Sequence, residues 1–256
     1  MKALLTAFRT LTIISWPGNE DRDLSKSLPW FPVVGLVLGI ILYGIGSAWL
    51  HLPVNWTSGG ALLLVIAQIF LTRGLHLDGL SDWADSLGAI MDREKRLEIM
   101  KDSHMGAFGT LALIIALGAK WIAFEKLMTS GSIILVVLIA VLSRDLMVDL
   151  MVTLPYARAG QGMAEMFVKG ATNRQRMISL LITLVLSVLF GPVGLALLIS
   201  SRIMILIFRA RLRKSFGGIT GDLLGMANEI TEILLLFLCA MAGEGISGYI
   251  SWGWII

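Results

Sequence analysis

Charge is what this 256-residue chain has little of: 15% of its residues are Asp, Glu, Lys or Arg, against roughly a quarter in soluble domains. With 56% hydrophobic residues and a mean hydropathy of +0.82, an aqueous fold would lack the polar surface to cover its apolar mass, so the chain reads as a membrane protein. Cysteine is nearly absent. Cys239 alone excludes an intramolecular disulfide framework, and its apolar surroundings make it a small core hydrophobe. The three histidines and one cysteine form no zinc-type spacing, and no Ser-His-Asp arrangement stands out. Net charge is only +3, with basic residues scattered, so the contiguous stripe that nucleic acid requires is missing. The opening "MKALLTAFRTLTIISWPGNEDRD" has no small-residue cleavage site behind a long apolar core. It reads as an amphipathic or surface helix within an N-terminal cytoplasmic segment, residues 1–27.

Long apolar runs, by contrast, are plentiful. Leu28–Leu50, Gly59–Leu77, Ala107–Met128, Ser132–Leu154 and Ile230 to about Ile246 each approach the roughly 20 residues that a crossing helix needs. Met177–Phe208 is too long for one crossing, and "GPVG" at Gly191–Gly194 suits a hairpin within it. Basic residues test the count. Lys2, Arg9, Arg22 and Lys26 precede the first run; Arg93, Lys95, Arg96 and Lys101 follow the second. Arg158, Lys169, Arg174 and Arg176 follow the fourth, and Arg209, Arg211, Arg213 and Lys214 precede the last. The intervening connections are poor in Lys and Arg. Since these residues stay on the cytoplasmic side, the alternation holds if Met177–Phe208 crosses twice. The expectation is an all-α polytopic bundle of about seven transmembrane helices in one domain, residues 1–256, with the N-terminus cytoplasmic.

Against this background "GLHLDGLSDWADSLG" (74–88) is unexpected, because it places Asp78, Asp82 and Asp85 directly after an apolar run. Their i, i+4, i+7 spacing puts them on one face if the second span continues as a helix beyond the membrane surface. Three carboxylates on one face repel one another, and sulfur-free oxygen ligands suit a hard cation such as Mg²⁺, usually shared with substrate phosphates. A hydrated helix end with ordinary surface acids is the simpler reading. A second acidic stretch, "GGITGDLLGMANEITEILLLF", holds Asp222, Glu229 and Glu232 near one face; acids favoured by the helix dipole are its simpler explanation. Charged residues within the runs, Arg73, Arg144, Asp145, Asp149, Arg202 and Lys120, are costly in hydrocarbon and mark either function or structural pairing between helices. All but Lys120 crowd toward the basic, cytoplasmic side. That favours an enzyme with cytosolic substrates over a proton-coupled transporter using Asp145, Asp149 and Lys120. "MKDSHMGAFG" adds Lys101, Ser103 and His104, "LPYARAGQGMA" adds Arg158, and His76 lies among the aspartates. Acids, bases and Gly-rich turns on one side point to cation-assisted transfer at a phosphate or diphosphate.

The set "GLHLDGLSDWADSLGA", "IMKDSHMGAFG", "LPYARAGQGM" and "GGITGDLLGMANEITE", in this order, resembles the cobalamin synthase (adenosylcobinamide-GDP ribazoletransferase) family, from about Pro29 to Glu232. The resemblance implies attack of a ribazole hydroxyl on the cobinamide-side phosphorus of adenosylcobinamide-GDP, with GMP leaving and Mg²⁺ required. The products are adenosylcobalamin or its 5′-phosphate. The reading of the residues fits this reaction, with metal and diphosphate handling falling to Asp78, Asp82 and Asp85 and Asp82 central. Asp222 and Glu229 become metal or base candidates, and Lys101, Arg144, Arg158, His76 and Ser103 substrate contacts. The family often has Arg where this chain has His104. Expected partners are the two substrates and membrane lipid; a homo-oligomer or a complex with other cobalamin-pathway enzymes is compatible with it. The implied location is a bacterial inner membrane, with the site facing the cytoplasm. CDP-alcohol phosphatidyltransferases share an Asp-rich pattern, but their longer signature is missing here. A prenyltransferase is a further Mg²⁺-dependent alternative.

Overall fold

The computed structural model describes residues 1–88, 92–102, 104–158 and 162–252. Its helices are α1 (Lys2–Leu11), α2 (Phe31–Leu50), α3 (Thr57–Thr72), α4 (Leu75–Asp85), α5 (Arg93–Ile99), α6 (Ala107–Thr129), α7 (Leu135–Thr153), α8 (Met163–Gly170), α9 (Asn173–Leu189), α10 (Gly191–Phe216) and α11 (Gly221–Ala242). Short 3₁₀ turns span Leu24–Trp30 and Gly243–Tyr249. Among the described residues the only β feature is one isolated bridge. The fold is thus an all-α helical bundle of the multi-pass membrane kind.

The centre is α7, buried without interruption from Leu135 to Met151. It packs most closely on α2, where glycine permits backbone contact: a Cβ on Gly35 would stand 2.3 Å from the Ala140 carbonyl oxygen, and one on Gly39 2.5 Å from the Val137 Cα. Small residues of this kind let membrane helices approach when hydrophobic driving force between them is weak. The amphipathic α1 buries Leu5, Ala7, Phe8 and Leu11, and Cys239 lies fully in the core. Large side chains such as Phe70, Ile115, Leu181 and Leu206 instead remain outward and exposed, as a hydrocarbon solvent allows.

The expected count of about seven crossings is not met by length and composition. Among the described residues four segments qualify: Leu24–Leu50, Ala107–Thr129, Gly191–Phe216 and Gly221–Ile246. A fifth qualifies only if α3 and α4 are taken together. Among the expected spans, α9 is 17 residues long, and α7 carries Arg144, Asp145 and Asp149 within 19 residues. The chain does break at the anticipated turn: α9 ends at Leu189 and α10 starts at Gly191, with Pro192 in its first turn.

A second correction concerns the aspartates. The helix bearing them does not continue the second span, because α3 and α4 meet at 92°. Arg73 (φ 56°) and Gly74 (φ 64°) both adopt left-handed backbone there, which ends the α3 ladder. The Arg73 guanidinium donates to the carbonyl of Arg9 at 2.7 Å, offsetting the strain of a non-glycine residue in this region. α4 carries three aspartates in 11 residues and by itself is not among the segments long and apolar enough to cross a membrane.

Candidate active site

Glycine also decides where the aspartates go. On α4, a Cβ at Gly79 would lie 2.5 Å from the carbonyl oxygen of Asp222 and 2.8 Å from its Cα. On α11, a Cβ at Gly225 would lie 3.0 Å from the His76 carbonyl oxygen. The two helices therefore touch backbone to backbone, and the carboxylates of α4 stand beside the first turn of α11. A second junction fixes the loops. Tyr156 and Ile219 form the parallel bridge, with Ala157 N–H donating to Ile219 at 2.8 Å and Ile219 N–H to Pro155 at 2.9 Å. This holds "LPYAR" against "GGIT", so Arg158 reaches Asp222 at 2.6 Å and also donates to the Met100 carbonyl at 3.0 Å.

Three of the predicted residues, Asp78, Asp82 and Asp222, come together with Arg158. Among the described residues neither the Asp78 nor the Asp82 carboxylate has a hydrogen-bond or ion-pair partner. Partial burial, then the charges of Asp222, Asp78 and Asp85, push the Asp82 carboxyl up to about 7. Asp85 is engaged differently from expectation. Its two oxygens accept from the N–H groups of Gly106 and Gly109, both at 2.8 Å, satisfying orphan donors at the start of α6. Lys101 is exposed and shares an open depression of about 390 Å³ with Arg93 and Arg158. His104 is exposed, its ring 2.6 Å from Asp102. Ser103 lies outside the described residues.

A cavity of about 230 Å³ opens beside this group. Its lining includes His76, Asp78, Arg158 and Asp222 at one side and Phe31, Met147, Met151, Phe167 and Leu224 around the rest. His76 is 2% exposed, and neither ring nitrogen has a hydrogen-bond partner. Burial, then the Arg144 charge, push its imidazole down to about 3, so the ring is neutral. Tyr156, which sequence reasoning did not single out, also lines this space; its only signal was an aromatic residue inside a Gly-rich loop.

Two expected site residues are elsewhere. Arg144 is 1% exposed and its guanidinium is committed to Glu232 and Ser143, so it is not presented to a phosphate. Glu229 is buried and pairs with Lys120 at 2.5 Å; Lys120 also meets Glu232 at 2.8 Å, and Gln68 donates to Glu232 at 2.5 Å. Two cations and two anions thus neutralise one another where α3, α6, α7 and α11 meet, as buried charge requires. A second network joins Asp145 to Arg202 and to Ser179 (2.6 Å), and Asp149 to Arg176 (2.6 Å). The intramembrane charges that a proton-coupled carrier would need are therefore tied into helix-to-helix pairs.

Fold and site define a polytopic helical membrane protein with an acidic and basic group beside an apolar cavity. The chain belongs to the Cobalamin-5-phosphate synthase family, whose model matches residues 3–240. Relatives described as adenosylcobinamide-GDP ribazoletransferase include one from Chlorobium phaeovibrioides, 38% identical over 246 residues, which cover 94% of this chain and 98% of the relative. Another, from Syntrophobacter fumaroxidans, is 39% identical over 247 residues, covering 92% and 96%. A third, from Chlorobaculum parvum, is 37% identical over 255 residues, covering 96% and 98%. No solved structure matches the chain significantly.

Proposed function

We infer that the protein joins ribazole, or its 5′-phosphate, to adenosylcobinamide-GDP and releases GMP. Family membership along nearly the whole chain supports this reading. The observation that carries it at the site is the glycine crossing of α4 and α11, which sets Asp78 and Asp82 beside Asp222 and Arg158. In the reaction, a ribazole hydroxyl oxygen bonds to the cobinamide-side phosphorus. The bond from that phosphorus to the bridging oxygen breaks, and GMP departs with the bridging oxygen. Asp222, oriented by Arg158 and by the Thr220 hydroxyl at 3.4 Å, accepts the hydroxyl proton. Arg158 and the exposed Lys101 supply positive charge to the diphosphate.

Mg²⁺ fits this donor set. Asp78 and Asp82 are hard oxygen donors without partners, and the crowding of negative charge that raises Asp82 is what a cation relieves. Among the described residues no group of three or more His, Cys, Asp or Glu side chains is assembled as a metal cage; Mg²⁺ usually takes one or two carboxylates and completes its shell with phosphate oxygens and water. Bound by Asp78 and Asp82, it would neutralise charge building on the leaving phosphate.

The reading extends to topology. The basic connections support a topology in which α4, the α7–α8 loop and the start of α11 face the cytoplasm from a bacterial inner membrane. Pairing of its charges lets α7 cross, and α9 spans with help from its flanking residues, giving about seven crossings. Purified protein given adenosylcobinamide-GDP, ribazole and Mg²⁺ should release GMP; CMP from a CDP-alcohol or diphosphate from a prenyl donor would signal the rival transferases. Asp82→Asn should remain folded and lose more than about a hundredfold in turnover. Near-normal GMP release from that variant contradicts the assignment.

A further inference from the structure

The cavity beside the carboxylates has a chemistry that the phosphate reaction alone does not explain. Its volume of about 230 Å³ falls below the roughly 300–1,000 Å³ of pockets that enclose whole drug-sized ligands. It is of a size to take one small ring system. Phe31, Met147, Met151, Phe167 and Leu224 give it buried apolar walls, and methionine and aromatic side chains suit a flat π-system. Beside the acidic end, two residues before Asp78 on α4, lies His76, buried and with both ring nitrogens lacking a partner. A buried polar group of this kind is ordinarily satisfied by something, and leaving it unpaired is costly.

Resting on the ribazoletransferase reading, we propose that this cavity seats the benzimidazole base of the ribazole, with the His76 ring donating to the base's one unglycosylated nitrogen. The match is one of counting. An N-glycosylated benzimidazole carries a single in-ring acceptor on an otherwise apolar bicycle, and away from Asp78, Arg158 and Asp222 the lining offers the His76 imidazole beside apolar side chains. Guanine, the other base in the reaction, has several donors and acceptors along its edge. Its N1–H and amino group could pair with the carboxylates of Asp78 or Asp222 on the same lining, so guanosine is the competitor that the test must separate. A lipid chain would leave His76 without a partner. Because Asp78, Arg158 and Asp222 line the same cavity, a base held inside it directs its ribose hydroxyls toward the carboxylates. Binding and orientation of the nucleophile then come from one feature.

The test uses the full chain in lipid nanodiscs. Free dimethylbenzimidazole, ribazole and guanosine are titrated calorimetrically, and KM is measured separately for ribazole and for adenosylcobinamide-GDP. His76→Ala removes the donor. Ala164→Phe narrows the cavity from its half-exposed rim on α8, and serves if the His76 variant does not fold. Both should weaken dimethylbenzimidazole binding and raise the ribazole KM by about tenfold, the scale of one lost buried hydrogen bond, while the KM for adenosylcobinamide-GDP changes less than about twofold. Guanosine should not compete. Competition by guanosine, an effect falling on the adenosylcobinamide-GDP KM instead, or unchanged ribazole kinetics in Ala164→Phe overturns the assignment. Wild-type protein that releases no GMP refutes the reaction itself, a different result from an active enzyme whose base binds elsewhere.

Discussion

Replacing Gly79 with alanine asks whether the α4–α11 contact is what assembles the site. The new Cβ would stand 2.5 Å from the Asp222 carbonyl oxygen, 2.8 Å from its Cα and 3.0 Å from its carbonyl carbon, whereas ordinary contact begins at 3.4 Å. All three obstacles are backbone, so no side-chain rotation relieves them; the helices must separate by about 0.9 Å. Overpacking of this kind costs about 1–3 kcal/mol. The larger consequence is geometric, because a displacement of about 1 Å between reacting groups costs on the order of a hundredfold in rate. Gly79→Ala should therefore insert and fold, with a modestly lowered unfolding midpoint, yet release GMP about a hundredfold more slowly. Gly225→Ala is the internal comparison. Its nearest obstacle is at 3.0 Å, requiring a few tenths of an ångström, so its loss should be clearly smaller. GMP release is followed chromatographically under saturating substrates, and folding by thermal denaturation in detergent. Wild-type turnover in Gly79→Ala, or a greater loss in Gly225→Ala, refutes the reasoning.

Other consequences concern charge. Lys120→Met leaves Glu229 and Glu232 buried without their shared cation and should cost about 3–5 kcal/mol; Lys120→Met combined with Glu229→Gln should recover part of that in denaturation, and equal losses would argue against the pairing. The Asp82 carboxyl sits at about 7 rather than its ordinary 3.8, so the folded state holds its proton more tightly than the unfolded state does. That contribution is complete below about pH 4 and lost as pH climbs through 7. The unfolding midpoint of protein stripped of divalent ions should accordingly fall between pH 5 and pH 8, with Mg²⁺ restoring it at pH 8 but not at pH 5. A slope that persists in Asp82→Asn would exclude Asp82 as its source. Asp85→Ala removes the acceptors for Gly106 and Gly109; a loss of about 0.5–2 kcal/mol, the worth of a helix cap, is expected, and an unchanged midpoint would show the cap to be idle.

Composition and apolar run length determined the class of protein without help: so little charge against so much hydrocarbon leaves only a membrane as solvent, and the aspartate spacing with its neighbouring motifs carried the family. The roles of single charges were not legible. Arg144 and Asp82 are both ionisable residues near apolar runs, but one is locked to Glu232 and the other faces Asp78 and Asp222. Only the packing of α7 against α11, and of α4 against α11, separates them. The same holds for the bend at Arg73 and Gly74: hydropathy averages over a window and carries no direction, so a run that turns by 92° scores like a straight one. Sequence determines which groups a chain must satisfy. Which group satisfies which is decided by contacts between residues as far apart as Gly79 and Asp222, and those exist only once the helices have met.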